Sequence, residues 1–370
     1  MADTNGVMLS QEGRLLSLDF FRGFTMFLLV AEGTGFFNYL ADPQLKGTII
    51  YAIAQQFHHH HWHGLHFWDL VQPFFMFIVG VAMPFSYAKR SRRGDSYALI
   101  RNHAVRRSIT LLILGWALYC IGPGRITFRF QNVLAQLSVT YIIAFFMMNK
   151  RVRTQIIVSV ALIALTEILY RTFPVSGFNQ PFTPDHNFGA WVDMLISGEL
   201  SGGHWVSFNA IPTTAHTMWG VLAGHVLISN RTPGKKIRIL VVAGVIGLAL
   251  GYGLNPITPI IKRICTSSFI FVSGGWALLA LAFSFWLIDV KKVQKWSVFF
   301  AVVGMNPLFI YLFGHIGGGE MMYSVPKPFV FGLLGWMGEL PAQIITAFIA
   351  WMMLWYITYW LYKRRIFIKL

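Results

Sequence analysis

Six histidines lie within nine residues of this chain, in the segment 58–66, and Asp69 follows the last of them by three residues. Imidazole takes up and releases a proton near neutral pH, and it can also attack an activated acyl group. The histidine-rich segment stands directly before a long apolar stretch that begins at Phe67. The pattern therefore favours proton or acyl transfer by at least one of these histidines at the boundary of a membrane.

Metal binding is a second interpretation of the same residues. His59 and His63 are four residues apart, and His66 and Asp69 follow at intervals of three, so that a helix would bring several of them to one face. Gly64 interrupts this run, and the spacing matches no metalloenzyme motif. We therefore expect no metal. A third interpretation, solvated histidines without a chemical role, stays open.

The elements that must position these residues are membrane-spanning helices. Of the 370 residues, 55% are hydrophobic and 12% are charged, and the mean hydropathy is +0.57. Apolar stretches long enough to cross a bilayer as helices recur along the chain. The sequence therefore predicts an all-α fold, a polytopic membrane helical bundle of about ten transmembrane helices. The predicted spans are 15–37, 67–88, 108–123, 133–148, 154–171, 206–228, 239–253, 267–289, 297–316 and 341–362, with a re-entrant or interfacial piece at 328–338.

The distribution of charge predicts the topology. The formal net charge is +16, and most basic residues fall in alternate loops. By the positive-inside rule both termini are cytoplasmic, which places the histidine-rich segment on the outer face. The predicted domains are a cytoplasmic N-terminal segment 1–14, a transmembrane domain 15–363 and a basic cytoplasmic tail 364–370. Basic loops of this kind serve orientation and lipid contact, so nucleic acid is not expected as a partner.

Three polar side chains inside predicted spans need a partner or a task, because the bilayer core penalises them. Asp19 and Arg22 share one face of the first span, where they either neutralise each other or help to receive an anionic ligand from the cytoplasm. Asn306 stands beside Pro307, which removes a backbone donor and kinks the helix. Asn306 is therefore either part of a simple helix kink, or its amide lines a ligand channel.

Two carboxylates and a hydroxyl group are expected near the outer ends of helices. Glu32 stands where glycines favour local unwinding of the first span, and it is placed to orient or deprotonate an imidazole of the following loop. Asp69 opens the second span, a position that also suits a carboxylate at a helix N-terminus. Ser267 belongs to the hydroxyl cluster Thr266-Ser267-Ser268, which is typical of a helix cap.

Several segments, taken together, resemble the heparan-α-glucosaminide N-acetyltransferase-like family of transmembrane acyltransferases and its bacterial relatives. The segments extend over nearly the whole chain in order. They are Arg14 to Gly23, Trp62-His63-Gly64, Asp69-Leu70-Val71, Pro73-Phe74-Phe75, Phe77 to Gly80, Ile211-Pro212, Gly220 to Gly224, Pro259 with Lys262 and Thr266 to Phe269, Gly304-Met305-Asn306-Pro307 with Tyr311, and the ending from Tyr362.

The resemblance implies a reaction and a set of site residues. In the family, a histidine three residues before the tryptophan of a Trp-[Asn/His]-Gly motif is viewed as the acetyl-transfer residue, and that position here is His59. The implied acyl donor is acetyl-CoA, and the implied acceptor is an amino sugar or a glycan. The implied catalytic residues are His59, Glu32 and Asp69, those for the acetyl-CoA are Arg22, Asp19 and Asn306, and those for the acceptor are Trp62, His63 and Ser267.

The chain departs from the family pattern at several positions. The residues around His59 are also histidines, and Glu32 stands where the family usually has an asparagine. Ala135-Gln136 replaces a usual Gln-Arg pair, and Cys265 replaces a usual tryptophan. These differences concern acceptor choice and ligand geometry.

The resulting prediction is an enzyme, an acyl-CoA-dependent N-acetyltransferase embedded in the lipid bilayer of a bacterial inner membrane. It moves an acetyl group from cytosolic acetyl-CoA to the amine of a glucosamine-like sugar at the outer face. A histidine acts either as general base or as acetyl carrier. A permease for an amino sugar such as N-acetylglucosamine, and an O-acyltransferase of a periplasmic glycan, stay open as alternatives. The resemblance also implies a homodimer.

Overall fold

The computed structural model describes residues 15–368, and its architecture is all-helical. Helix makes up 73% of the structure, and the described residues contain no β-strand, which confirms the predicted all-α class. The α-helices are α1 (Leu16–Glu32), α2 (Phe36–Leu40), α3 (Ile49–Gln55), α4 (Val71–Arg92), α5 (Tyr97–Ile121), α6 (Val133–Met148), α7 (Val152–Thr172), α8 (Phe188–Ser197), α9 (Ala210–Ile228), α10 (Pro233–Leu254), α11 (Ser267–Ser284), α12 (Ser297–Gly304), α13 (Pro307–Phe313), α14 (Gly319–Ser324), α15 (Lys327–Leu334) and α16 (Glu339–Lys363). Short 3₁₀ helices lie at Pro43–Leu45, Phe67–Leu70, Ser207–Asn209 and Gly335–Met337, and π-helical turns at Phe285–Val290 and Gly314–Gly318.

Six helices of the described chain are long and apolar enough to cross a membrane. A seventh span results if the pair Ser297–Gly304 and Pro307–Met337, which is bent by 72°, is counted as one. The other predicted spans also coincide with helices, but α1 has only 17 residues and α6 only 16, and α9 carries several threonines and histidines. The protein is thus a multi-pass membrane protein. The number of about ten spans and the cytoplasmic termini stay predictions.

The described residues divide into two compact units, and the first consists of 15–59, 66–71 and 284–368. Its centre is the contact of α1 with α12. A Cβ atom at Gly23 would overlap the carbonyl oxygen of Phe300, so the two backbones touch there. Helix α16 joins this pair, because the indole of Trp351 stacks on Phe27 at 4.3 Å and donates a hydrogen bond of 2.9 Å to its carbonyl oxygen.

The second unit consists of 60–65 and 72–283. Helix α9 is central to it, since it packs on α6 and α7. It also approaches α4 at backbone distance, because a Cβ at Gly220 would overlap the carbonyl oxygen of Phe77, and one at Gly80 that of Thr217. Small residues at a helix crossing allow such an approach in membrane proteins.

Candidate active site

The histidine-rich segment brings one imidazole against one carboxylate. Nδ1 of His59 lies 2.9 Å from Oδ1 of Asp69. The Asp69 side chain is buried, with 1% of its surface exposed, whereas the His59 side chain is 29% exposed. The second carboxylate oxygen accepts a hydrogen bond of 2.9 Å from the backbone N–H of His66. Asp69 is therefore held from two sides, and it in turn orients the ring of His59.

A short helical turn and a stacked aromatic pair position this histidine–aspartate dyad. Asp69 lies in the 3₁₀ helix Phe67–Leu70, directly before α4. The backbone N–H of Trp68 donates to the carbonyl oxygen of Gln56 at 2.9 Å, which closes the loop before the dyad. The rings of Phe37 and Phe57 stack with their centroids 4.2 Å apart.

Two further histidines of the segment serve to hold the loop. Nε2 of His58 makes a bond of 3.3 Å to the carbonyl oxygen of Phe37. Nδ1 of His66 makes one of 3.0 Å to the carbonyl oxygen of His58. His61, by contrast, is exposed. The histidines near the dyad thus differ in their surroundings, although their residue type and spacing do not distinguish them.

The contact between the dyad residues decides which ring nitrogen can act as a base. An ionised carboxylate can only accept hydrogen bonds, so with Asp69 ionised the proton of the shared bond belongs to Nδ1 of His59 and the lone pair of the neutral ring lies on Nε2. A carboxylate behind an imidazole also stabilises the imidazolium that forms when the ring takes up a proton. This arrangement suits general-base and nucleophilic chemistry alike.

The described residues contain no candidate metal centre. Between residues 15 and 368 there is no group of three or more His, Cys, Asp or Glu side chains that could hold a metal ion. His63 instead makes a bond of 3.1 Å through Nε2 to Oδ1 of Asn255. The expectation that the reaction needs no metal stays a prediction.

The predicted residues of the first span occupy two different ends of α1. Nη1 of Arg22 lies 3.6 Å from Oδ1 of Asp19, so these two side chains form an ion pair. This agrees with the interpretation in which they neutralise each other. Glu32 is the last residue of α1 and is exposed. The helix ends there and Gly35 adopts φ +74, which agrees with the unwinding expected from the glycines.

Asn306, which is fully buried, holds the C-terminal tail. Its Nδ2 donates to the carbonyl oxygen of Ile366 at 3.0 Å, and its Oδ1 accepts from the backbone N–H of Ile368 at 2.9 Å. It lies between α12 and α13, where the helix direction changes before Pro307. The amide group is therefore engaged with the chain itself, and an additional contact to a ligand is not required to explain its burial.

We expect the Asn306→Ala variant to release the tail. Each lost hydrogen bond contributes about 0.5–1.5 kcal/mol, so the detached tail becomes about tenfold more populated. Trypsin should then cleave after Lys363, Arg364 or Arg365 about tenfold faster, as followed by mass spectrometry. Asn38→Ala, at an exposed position of α2, is the control that should leave the cleavage rate unchanged. Equal cleavage of both variants would contradict the role of Asn306 as a latch.

The predicted acceptor residues Trp62 and His63 both lie in the second unit. The indole N–H of Trp62 donates to the carbonyl oxygen of Phe182 at 2.8 Å, and the backbone N–H of Gly64 donates to that of Ile260 at 2.9 Å. Gly64 adopts φ +149, and a Cβ at this position would overlap the ring of His60. The Trp-His-Gly segment is thus bound to two other loops of its unit.

Ser267, the third predicted acceptor residue, contacts a glutamate that the sequence reasoning missed. Its hydroxyl donates to Oε2 of Glu167 at 2.6 Å, and Thr258 donates to Oε1 of the same carboxylate at 2.6 Å. Arg171 pairs with Glu167 at 2.6 Å as well. The signal was present in the sequence, because Glu167 and Arg171 stand four residues apart inside a predicted span.

The thiol near Ser267 favours its neutral form. Cys265 is buried, and burial raises the pKa of its thiol to about 12. It therefore stays protonated at neutral pH, and its Sγ lies 3.2 Å from the carbonyl oxygen of Lys262. The His59–Asp69 dyad is better suited to acyl transfer than this thiol.

Comparison with known proteins gives a distant relationship. No family model matches the chain. Heparan-α-glucosaminide N-acetyltransferase from Mus musculus is 34% identical over 139 residues, which cover 36% of this chain and 19% of the mouse protein. The protein of the same name from Homo sapiens is 26% identical over 428 aligned residues, which cover 96% of this chain and 60% of the human protein.

The chain spans less than two thirds of the length of either relative. The similarity to the human protein nevertheless extends over almost all of this chain, in agreement with the resemblance found in its motifs. Both relatives are N-acetyltransferases by name, which supports an enzyme of the transferase class. The chain is therefore a distant relative of heparan-α-glucosaminide N-acetyltransferase.

Proposed function

We propose that this protein is a transmembrane acetyltransferase that moves an acetyl group from acetyl-CoA to the amine of a glucosamine-like sugar. The observation that carries the proposal is the contact of His59 with the buried carboxylate of Asp69. The distant relationship to an N-acetyltransferase supports the same reaction class. Glu32 is proposed as a further supporting carboxylate.

The dyad can carry the reaction as a general base. Nε2 of His59 takes a proton from the attacking amine, whose nitrogen forms a bond to the thioester carbonyl carbon. The carbon–sulfur bond then breaks, and the imidazolium returns the proton to the leaving thiolate, so the products are the N-acetyl sugar and coenzyme A thiol. Asp69 stabilises the positive charge on the ring between these two transfers.

An acetyl-histidine route uses the same atoms. The lone pair on Nε2 of His59 attacks the thioester first and the carbon–sulfur bond breaks to release the thiolate. The amine then takes the acetyl group from the ring, which regains its lone pair, and the proton that the amine loses goes to the thiolate. We favour the general-base route, because a thioester is already activated and placement of the two substrates supplies much of the rate.

The proposed setting is a bacterial inner membrane. Acetyl-CoA is cytosolic and highly anionic, so we propose that it enters past Arg22 and the basic inner loops, with Asp19 and Asn306 near its path. The acceptor sugar is proposed to bind from the outer face, with Trp62, His63 and Ser267 in that region. A homodimer in the lipid bilayer completes the proposal.

The test is acetyl transfer by the purified protein in lipid nanodiscs. We expect radiolabelled N-acetylglucosamine to form from glucosamine and labelled acetyl-CoA, and we expect His59→Ala to lower the rate by at least about 10²-fold. His61→Ala is the matched control, because His61 is an exposed histidine of the same segment, and it should keep most of the activity. Wild-type turnover in His59→Ala would exclude the proposed role.

The same purified protein, reconstituted in sealed vesicles, separates catalysis from transport. In sealed proteoliposomes, an acetyltransferase consumes acetyl-CoA and releases a modified sugar. Accumulation of unmodified labelled sugar without acyl-CoA would instead indicate the permease alternative.

A further inference from the structure

The loops of the second unit carry another imidazole–carboxylate pair. Nδ1 of His204 lies 2.6 Å from Oδ2 of Asp185. Both side chains are accessible, with 37% of the His204 side chain and 29% of the Asp185 side chain exposed. Both residues lie outside the candidate membrane spans. The acetyl transfer described above uses neither of them.

The backbone at both positions is unusual. Asp185 adopts φ +62 and His204 adopts φ +60, a left-handed conformation that few residues other than glycine take. Such conformations persist where the surrounding structure enforces them, and they are frequent at binding sites. Here they point the two side chains of separate loops toward each other.

Each of the two loops is braced by its own hydrogen bonds. In the first loop, the backbone N–H of Gln180 donates to the carbonyl oxygen of His186 at 2.9 Å, and Nδ1 of His186 bonds to the carbonyl oxygen of Gly177 at 2.9 Å. In the second loop, the guanidinium of Arg263 donates to the carbonyl oxygen of Gly203. The pair is therefore held in place before any ligand arrives, which lowers the entropic cost of binding.

Aromatic rings adjoin the polar pair. The ring of Trp62 stands edge-on to that of His204, with centroids 6.0 Å apart. Trp205 follows His204 directly, and the cationic groups of Lys262 and Arg263 lie 5.1 Å and 5.2 Å from its ring centroid. A few polar groups beside aromatic rings form the usual composition of a small-molecule site.

The hydrogen-bonding groups of this pair fit a polyhydroxylated ring. A carboxylate accepts hydrogen bonds from hydroxyl groups, and an imidazole can donate or accept. The apolar faces of a sugar ring pack on aromatic side chains.

We propose that Asp185 and His204 form an acceptor subsite that holds adjacent hydroxyl groups of a pyranose sugar. The inference rests on the proposed acetyltransferase function and specifies how the acceptor is recognised. The subsite is expected to contribute to acceptor affinity and not to the transfer step itself.

The experiment compares Asp185→Asn and His204→Asn with the wild-type protein. Asparagine tolerates the left-handed backbone, so both loops should keep their structure, which a thermal unfolding scan checks. We expect the KM for glucosamine to rise about tenfold in each variant while kcat stays within about twofold, because one charge-assisted or imidazole hydrogen bond is weakened. The Kd for N-acetylglucosamine, measured by calorimetry without acetyl-CoA, should rise by a similar factor.

Asn179→Ala is the matched control, since Asn179 is an exposed residue of the same loop as Asp185, and this variant should leave KM and Kd unchanged. If the wild-type protein acetylates glucosamine and both variants keep its KM and Kd, the subsite is refuted while the proposed function stands. A second outcome is that the wild-type protein binds the sugar, both variants bind it more weakly, and the wild-type protein transfers no acetyl group. In that case the subsite stands and the proposed function fails. A wild-type protein that binds no pyranose would refute the subsite.

Discussion

The Asp69→Asn variant is expected to transfer acetyl groups about 10²–10⁴ times more slowly than the wild-type protein. The asparagine can still accept the backbone N–H of His66 through its carbonyl oxygen, as Oδ2 of Asp69 does at 2.9 Å. Its NH₂ group then faces Nδ1 of His59 and donates to it. The ring proton moves to Nε2, so the histidine loses the lone pair that the reaction needs. The measurement is kcat with glucosamine and acetyl-CoA.

Asp42→Asn supplies the control for this loss. It makes the same change of charge in the same loop between the first two spans, and among the described residues Asp42 accepts a bond of 2.8 Å from the backbone N–H of Gln44. We expect its kcat to match that of the wild-type protein. A wild-type rate in Asp69→Asn would mean that the carboxylate does not set the tautomer of His59.

The Gly220→Val variant should destabilise the second unit by about 3 kcal/mol or more, at the upper end of what overpacking usually costs. Its Cβ would overlap the carbonyl oxygen of Phe77, and it would lie 3.0 Å from the backbone nitrogen of Val81. Both obstacles are backbone atoms of α4, so no side chain can rotate away. Helices α4 and α9 must therefore separate. The measurement is the unfolding midpoint in detergent.

Gly253→Ala is the comparison for this loss of stability. Gly253 lies in α10 and is exposed, and a Cβ added there would meet no heavy atom of another described element within 4 Å. Alanine favours helix over glycine by about 0.5–1 kcal/mol, so this variant should be as stable as the wild-type protein or slightly more stable. If Gly220→Val unfolded at the wild-type midpoint, the close approach of α4 and α9 would be wrong.

The helical elements could be predicted well from the sequence, because hydrophobic length and periodicity are local properties. Each of the ten predicted spans overlaps a helix, although the first helix ends at Glu32, five residues before the predicted end. The third begins earlier than predicted, at Tyr97, since basic residues such as Arg101 and Arg106 are exposed on α5. The ninth breaks at Asn306, where the neighbouring proline predicted a kink. Where a helix begins therefore depends on which polar side chains it can present outward.

The partners of polar side chains were harder to predict, because they depend on contacts between distant segments. Residue types and spacing left the six histidines equivalent, and only the family resemblance predicted His59. The contact of His59 with Asp69, which lies in the turn Phe67–Leu70, depends on the folded structure. Asn306 was expected near a ligand, and its amide binds backbone about 60 residues further along the chain. Glu167 was missed although its pairing with Arg171 was visible in the spacing.

The most direct test of the dyad is a double-mutant cycle of His59→Ala and Asp69→Asn, with kcat for acetyl transfer as the readout. If Asp69 acts only through the ring of His59, the carboxylate has nothing to orient once the imidazole is gone. We therefore predict that the double variant is no slower than His59→Ala alone. Losses that multiply in the double variant would contradict a single catalytic unit formed by His59 and Asp69.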